Sequence, residues 1–266
     1  MEKLTPLTRE QIAEKAPQVY TEAPHANVSS KYTFLPTYQI VEDMEKLGWF
    51  VSDAKTMRSK NDTQKKYGKH MVKFFNPNIV INDSEGNAEA YPEILITNNH
   101  RGWGTFKFEI GVFRLVCSNG LVIKDKDMGT FNLRHFGYSF EELKGLVEQA
   151  TAALPDVVQK INTLSTKVMT QEEMRSFAEK AIKARFGEEK LVDDSEINQV
   201  LLATRPQDEG NTLWVVFNRT QEALINGGFT ITTAAKKERK VRKITNMLKD
   251  VELNQKLWEL TTEFAF

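Results

Sequence analysis

Three residues, His100, Cys117 and His135, are of types that could do chemistry together. A thiol beside an imidazole is a nucleophile with its base, and the same side chains are zinc ligands. The spacing argues for something plainer. No Cys-x-x-Cys or His-x-x-x-His pair accompanies them. Cys117 ends an apolar strand face, where a free cysteine is commonly a small core residue. Paired carboxylates are the second candidate, since two together can hold magnesium or divide acid and base roles. Glu141-Glu142, Glu172-Glu173 and Asp193-Asp194 each fall at an expected helix start. Negative charge there meets the positive end of the helix dipole, and that suffices. No Gly-x-Gly-x-x-Gly or phosphate-loop Lys-Ser/Thr motif is present, and Arg101-Gly102-Trp103-Gly104 is too short to count as one. No catalytic residue, metal or cofactor is expected, and a Cys/His-dependent enzyme stands only as a second alternative.

The fourth candidate is cationic. Lys55, Arg58, Lys60, Lys65, Lys66, Lys69 and Lys73 surround Tyr67 and precede Phe74 and Phe75, with Asp62 the one acid among residues 55–73. Lys236, Lys237, Arg239, Lys240, Arg242 and Lys243 form a second run, with Glu238 the one acid. Arg101, Trp103, Lys107, Arg114, Arg134 and His135 add further cations and an aromatic ring along the strand region. Ammonium and guanidinium groups neutralise phosphates and release counterions, while aromatic faces stack on bases. The whole chain carries 36 Lys+Arg against 36 Asp+Glu, a net charge of zero. The segment 139–235 is acidic, with 10 Lys/Arg against 15 Asp/Glu. Local potential within a Debye length of about 8 Å, rather than the sum, governs a charged ligand's approach. Charged loops and solvated helix faces that bind nothing are the competing account.

These residues must be held by a fold. With 266 residues, 40% hydrophobic and 27% charged, the chain can bury a real core. The longest apolar run, Leu213-Trp214-Val215-Val216-Phe217, is far short of the roughly 20 residues of a membrane span. No basic-then-apolar segment opens the chain and its one cysteine cannot form an internal disulfide, so a cytoplasmic location is expected.

Residues 1–36 read as an extended arm with one short helix near residues 8–15, packing on another surface such as a neighbouring subunit. Tyr38, Val41, Met44 and Leu47 have helical spacing, Gly48 stops that helix, and a strand starts at Trp49. Residues 58–68 read as a mobile loop. Strands follow at 71–75, 78–81 and 93–98, with a turn at 83–87. The strongest strand signal is 105–117. Its apolar positions switch face after Ile110, which predicts a bulge at Gly111. Ser118-Asn119-Gly120 reads as a turn, and strands at 121–123 and 130–136 complete an antiparallel sheet.

From residue 139 the pattern is helical. Ser139 with Glu142 and Thr170 with Glu173 have capping-box spacing. Pro155 bends or breaks the first helix, and Gly187 ends the one that Thr170 starts. Further helices are expected at 195–203, at 212–226 before Gly227-Gly228, and at 234–262, the last with a basic outer face and Val241 and Ile244 inward. The expected fold is α+β, an antiparallel sheet covered by long helices from the second half. A single domain, 37–266, has a sheet part at 37–138 and a helical part at 139–266.

The run Asn98-Asn99-His100-Arg101-Gly102, then Phe113-Arg114-Leu115-Val116-Cys117-Ser118-Asn119-Gly120-Leu121, then Arg134-His135, resembles a large family of phage- and plasmid-encoded proteins known as a domain of unknown function. Thr212 to Glu222 looks like its second signature block, and the likeness spans roughly residues 90–260. The family often has His-Asp-Gly where this chain has His100-Arg101-Gly102, a swap of acid for base that favours an anionic partner. The resemblance implies a mobile-element origin and no activity.

The order of elements is also similar to that of the single-strand-annealing recombinases of phages. That likeness implies self-assembly into rings or filaments, single-stranded DNA (or RNA) held by its phosphates in a basic groove, and annealing without a cofactor. Fold alone does not establish function. The leading expectation is a self-assembling, single-stranded DNA-binding and strand-annealing phage protein. The alternative is a phage protein that occupies and inhibits a host defence complex.

Overall fold

The computed structural model describes residues 4–29, 32–57, 62–82, 88–102, 106–114, 119–122 and 138–265. They form two units, Met1–Leu154 and Pro155–Phe266. The division falls after the first long helix of the second half, beyond the 138/139 boundary expected from the sequence.

In the first unit, Thr8 caps helix α1 (Arg9–Lys15) in a reciprocal box with Gln11. A 3-10 turn, Pro17–Tyr20, follows. This segment is not an extended arm on another surface. Ile12, Ala16, Val19 and Leu35 are buried in the unit's own core, because four apolar side chains gain more there than in water. Helix α2 (Thr37–Lys46) presents Ile40, Val41 and Met44 to the same core and ends at Gly48, whose φ of +81° suits glycine. The basic segment expected as a loop contains helix α3 (Asp62–Tyr67).

Strands β1 (Phe50–Thr56), β2 (His70–Phe75), β4 (Ala88–Asn98), β5 (Lys107–Arg114) and β6 (Asn119–Val122) pair antiparallel in that order, and β3 (Ile81–Asn82) also pairs with β4. The strand expected at 78–81 is thus confined to Ile81 and Asn82. One sheet face, with Val72, Phe74, Ile94, Ile96 and Phe108, packs on α1, α2 and helix α4 (Phe140–Ala152). The opposite face, with Met71, Phe75, Leu95 and Glu109, is buried as well.

The bulge is at Ser52, where the β1–β2 register skips from Val51 to Asp53. It lets Val51 and Ala54, three residues apart, point into one core. No bulge occurs at Gly111, because Glu93↔Gly111 and Pro92↔Val112 continue the ladder unbroken. Phe106, Phe108 and Val112 are all buried and keep the period of two, so no extra residue is needed. Asn119 and Gly120 are strand residues opposite Arg114 and Phe113 rather than turn residues. Residues 83–87, 115–118 and 123–137, with the expected turn, strand end and strand 130–136, lie outside the described residues. Ser139 caps α4 by accepting from the Glu142 amide, without the return bond of a full box.

Helix α5 (Leu154–Thr166) carries Pro155 in its first turn, where the missing amide costs nothing. In the second unit, Thr170 and Glu173 form the expected box at α6 (Gln171–Phe186). Asp193 caps α7 (Asp194–Val200) and Thr212 caps α8 (Leu213–Asn226). Phe177, Ala181, Ile182, Trp214, Phe217, Leu257 and Trp258 form much of its interior, from α6, α8 and α9 (Met247–Ala265).

The single helix expected at 234–262 is not present. A hairpin, β7 (Thr230–Thr232) with β8 (Glu238–Lys240), precedes α9. Side chains of α7 satisfy the free edge of β7: the Gln199 amide pairs with both Thr230 N–H and C=O, and Glu196 accepts from Thr232 N–H at 2.6 Å. The architecture is α+β, with an antiparallel sheet in the first half and helices in the second. No described helix is long and apolar enough to cross a membrane.

Candidate nucleic-acid interface

The first basic stretch is largely consumed by its own unit. Lys55 stands opposite Met71 and 4.0 Å from Asp53. Lys73 is buried and paired at 3.4 Å with Glu93, itself buried. Ser52, freed by the bulge, donates to Glu93 at 2.8 Å. Lys69 is half-buried, and burial, with repulsion from Lys107, lowers its pKa against the pull of Glu109. Lys65 and Lys66 are exposed on α3, where the Gln18 side chain and the Thr21 hydroxyl donate to their carbonyls. Arg101 is half-buried beyond β4, and Lys107 stands opposite Thr97. Arg114 is at the end of β5. Its side chain, and residues Arg58, Lys60, Trp103, Cys117, Arg134 and His135, lie outside the described set.

His100 belongs to a buried polar network. His70 Nδ1 donates to the Gly68 carbonyl at 3.0 Å and Nε2 accepts from the Thr37 hydroxyl at 2.7 Å. Thr37 in turn accepts from Asn98 Nδ2 at 2.9 Å. His100 Nε2 donates to the Gln18 carbonyl at 2.9 Å, and its ring lies 4.9 Å from that of His70. Burial, then repulsion from His100, brings the His70 pKa from 6.5 down to about 3, so this imidazole is neutral. The network ties the N-terminal segment to the end of β4, a structural task. Among the described residues, no cluster of three or more His, Cys, Asp or Glu could hold a metal.

The second basic stretch is exposed. The β7–β8 hairpin exists because Gly227 (φ +71°) and Gly228 (φ +99°) turn the chain sharply off α8. The backbone of Val241 and Arg242 then passes so close to Gly227 that a Cβ there would meet the Val241 oxygen at 2.5 Å. Thr233 closes the turn by accepting from the Lys237 amide, and Lys236 takes a φ of +54°. Ile231 and Val241 are buried, and they anchor the strands. Lys236, Lys237, Arg239, Lys240, Arg242 and Lys243 are all exposed. None lies within salt-bridge distance of a carboxylate among the described residues. They are carried by a hairpin and the segment after it, rather than by the face of a helix.

Two residues outside the basic run, Arg185 and Phe186, complete this surface. Arg185, in the last turn of α6, donates to the Leu224 carbonyl and, at 2.7 Å, to that of Arg242. Burial, then repulsion from Arg239, lowers its pKa to about 10, so it stays cationic at neutral pH. Phe186 and Arg185 line an open cleft of about 810 Å³ with Glu238, Arg239, Lys240, Val241 and Arg242. Nothing in the spacing links residue 185 to residues 239–242; the hydrogen bond from α6 to the segment after the hairpin does.

Two of the three acidic pairs have structural partners. Asp193 and Glu173 make capping bonds, and Asp194 pairs with Arg175.

Of the residues that carry the family resemblance, most of those whose burial is described are interior. Asn98, Asn99 and His100 are buried, as are Leu213, Trp214, Val216, Phe217, Asn218, Thr220 and Gln221 of α8. Compared with known proteins, the chain matches a family described as a domain of unknown function (DUF932) over residues 24–258. It is similar to the UPF0380 proteins YfjQ and YafZ of Escherichia coli (strain K12), each 28% identical over 254 residues, or 95% of this chain and 89% of the relative. No solved structure matches. With the family covering nearly nine-tenths of its length, this chain belongs to the DUF932 family.

Proposed function

We propose that this protein binds single-stranded DNA through the sugar-phosphate backbone, with the β7–β8 hairpin and the segment following it as the contact. One observation carries this reading: six exposed cations within residues 236–243, none paired with a described carboxylate. Such a surface gains most from a polyanion, because each phosphate it neutralises releases a condensed counterion. The Phe186 ring beside it offers a base an aromatic contact, which a single strand can use and a stacked duplex cannot. Contact through phosphates leaves base edges free to pair, as strand annealing requires. Annealing by a self-assembled protein is the fuller form of this reading.

The test replaces Arg239, Lys240, Arg242 and Lys243 together by Gln and measures binding of a dT oligonucleotide at low salt. Each is exposed, so the fold should survive, checked by an unchanged unfolding midpoint. Affinity should fall roughly a hundredfold or more. Unchanged affinity would overturn the reading.

A further inference from the structure

The cationic surface does not end with the hairpin's own cleft. A second cleft of about 330 Å³ lies between the end of α6 and the first half of α9. Its charged lining is Arg185, Lys249, Glu252 and Lys256, and its apolar lining is Ala184, Ile244 and Leu253. Arg185 lines both clefts. The chain also passes from one to the other: Arg242 lines the first, Ile244 lines the second, and the exposed Lys243 stands between them. This passage is pinned to the end of α8 and the strand after it. Val241 N–H donates to the Phe229 carbonyl and Ile244 N–H to that of Ile225, each at 2.8 Å.

The charges along this path suit a chain of anions. Arg185 is fixed at the boundary by its bonds to the Leu224 and Arg242 carbonyls. It stands close enough to Arg239 for the two cations to repel, and a phosphate between them would relieve that repulsion. On α9, Lys249 and Lys256 are exposed. Glu252 is held below the usual carboxylate range chiefly by its hydrogen bond to Lys256, with Lys249 adding to the pull from beyond ion-pair distance. The Lys256–Glu252 pair, at 2.9 Å, joins two largely exposed side chains one helical turn apart. Such pairs are weak, so the Lys256 ammonium can turn to a phosphate at little cost. Cations interleaved with apolar side chains match a backbone that alternates phosphate with sugar. A small free anion would need enclosed, converging donors, whereas these ammonium groups stand at an open rim.

We propose that this second cleft extends the single-strand track beyond the hairpin, with Lys249 and Lys256 of α9 receiving further phosphates of the same strand. The inference rests on the hairpin reading and adds a footprint and a direction of travel over the surface, from β8 past Arg185 to α9.

The test uses dT oligonucleotides of about four and about sixteen nucleotides, the span of common single-strand site sizes. Binding is read by fluorescence anisotropy at low salt. The proteins are the native full chain, a double variant with Lys249→Gln and Lys256→Gln, and Glu252→Gln. All three positions are exposed, and unchanged unfolding midpoints check the fold. The double variant should weaken the long oligonucleotide by roughly tenfold more than the short one. Its salt slope with the long one should be shallower by about 1.4, two contacts at about 0.7 each. Glu252→Gln should tighten the long one several-fold, because it removes the carboxylate of the cleft and releases Lys256. Equal affinity of the native chain and the double variant for the long oligonucleotide would overturn the extension. So would a double variant that loses short and long alike, or a Glu252→Gln chain that binds no tighter. In each of those cases the hairpin reading stands if its own four-Gln variant still loses affinity; if that variant binds like the native chain, both readings go.

Discussion

Residues 55–73 and 236–243 look alike as sequence, with seven and six cations and one acid each. Their surroundings differ. In the first, Lys73 is buried against Glu93, Lys55 leans on Asp53, and Lys69 is half-withdrawn from water. In the second, all six cations are exposed and no described carboxylate is within salt-bridge distance. A lysine inside a sheet is there for the sheet, because desolvation makes an unpaired charge too costly. A run of cations on a hairpin that its neighbours do not neutralise is available to a ligand. Charge density alone does not distinguish the two; the partner of each charge does.

The comparison breaks most sharply at Lys73. Lys73→Met leaves the Glu93 carboxylate buried without its cation and should destabilise the first unit by roughly 3–5 kcal/mol, measured by denaturant unfolding. Replacing Glu93 by Leu in the same chain should restore most of that. Neither change should alter oligonucleotide affinity under conditions where the protein stays folded.

Gly227→Ala is the counterpart in the second unit. It forces a Cβ into left-handed backbone and against the Val241 oxygen, and should cost at least about 2 kcal/mol. Gly228→Ala has open space at its Cβ and should cost less, only the strain of its φ. Differential unfolding of the two variants checks this.

Acid separates the units again. All four histidines lie in the first 154 residues. The pKa of folded His70 is depressed below its ordinary 6.5, so the unfolded chain binds the extra proton between 6.5 and about 3. The stability held by a neutral His70 is complete above 6.5 and is lost as the pH falls through that window. At pH 5 the loss is about 2 kcal/mol. Thermal unfolding between pH 7.5 and 5 should show the first unit melting earlier, an effect that His70→Gln should diminish.

The smallest effect is at Lys236. Its φ of +54° favours glycine, so Lys236→Gly should leave stability unchanged or raise it by up to about 1 kcal/mol. It should also remove one phosphate contact.

Much of this fold was legible. Thr8, Ser139, Thr170 and Thr212 stand at helix starts where the sequence places them, because a hydroxyl one step before an apolar stripe has few other uses. What was not legible depended on distant partners. Helix α3 has six residues, too few to stand alone, and carbonyls at its end are capped by Gln18 and Thr21 from more than forty residues away. The hairpin reads as helix because Lys, Arg and Glu are good helix formers, and only the backbone packed on Gly227 and the edge bonds from Gln199 and Glu196 make it strand. The expected bulge at Gly111 failed because both sheet faces are buried, so apolar residues on either side carry no register information. For the site, the cations of 236–243 were visible in the sequence. Their distance from every described carboxylate, and the addition of Arg185 and Phe186, were not.

The most direct measurement is the salt dependence of single-strand affinity for the native chain and the hairpin variant with four Gln substitutions. Each phosphate contact to a single strand contributes a slope of about −0.7 in log affinity against log salt. The native chain should give a steep negative slope, and the variant one shallower by about 3. Identical slopes for the two proteins, or no salt dependence in the native chain, would contradict a hairpin that grips phosphates.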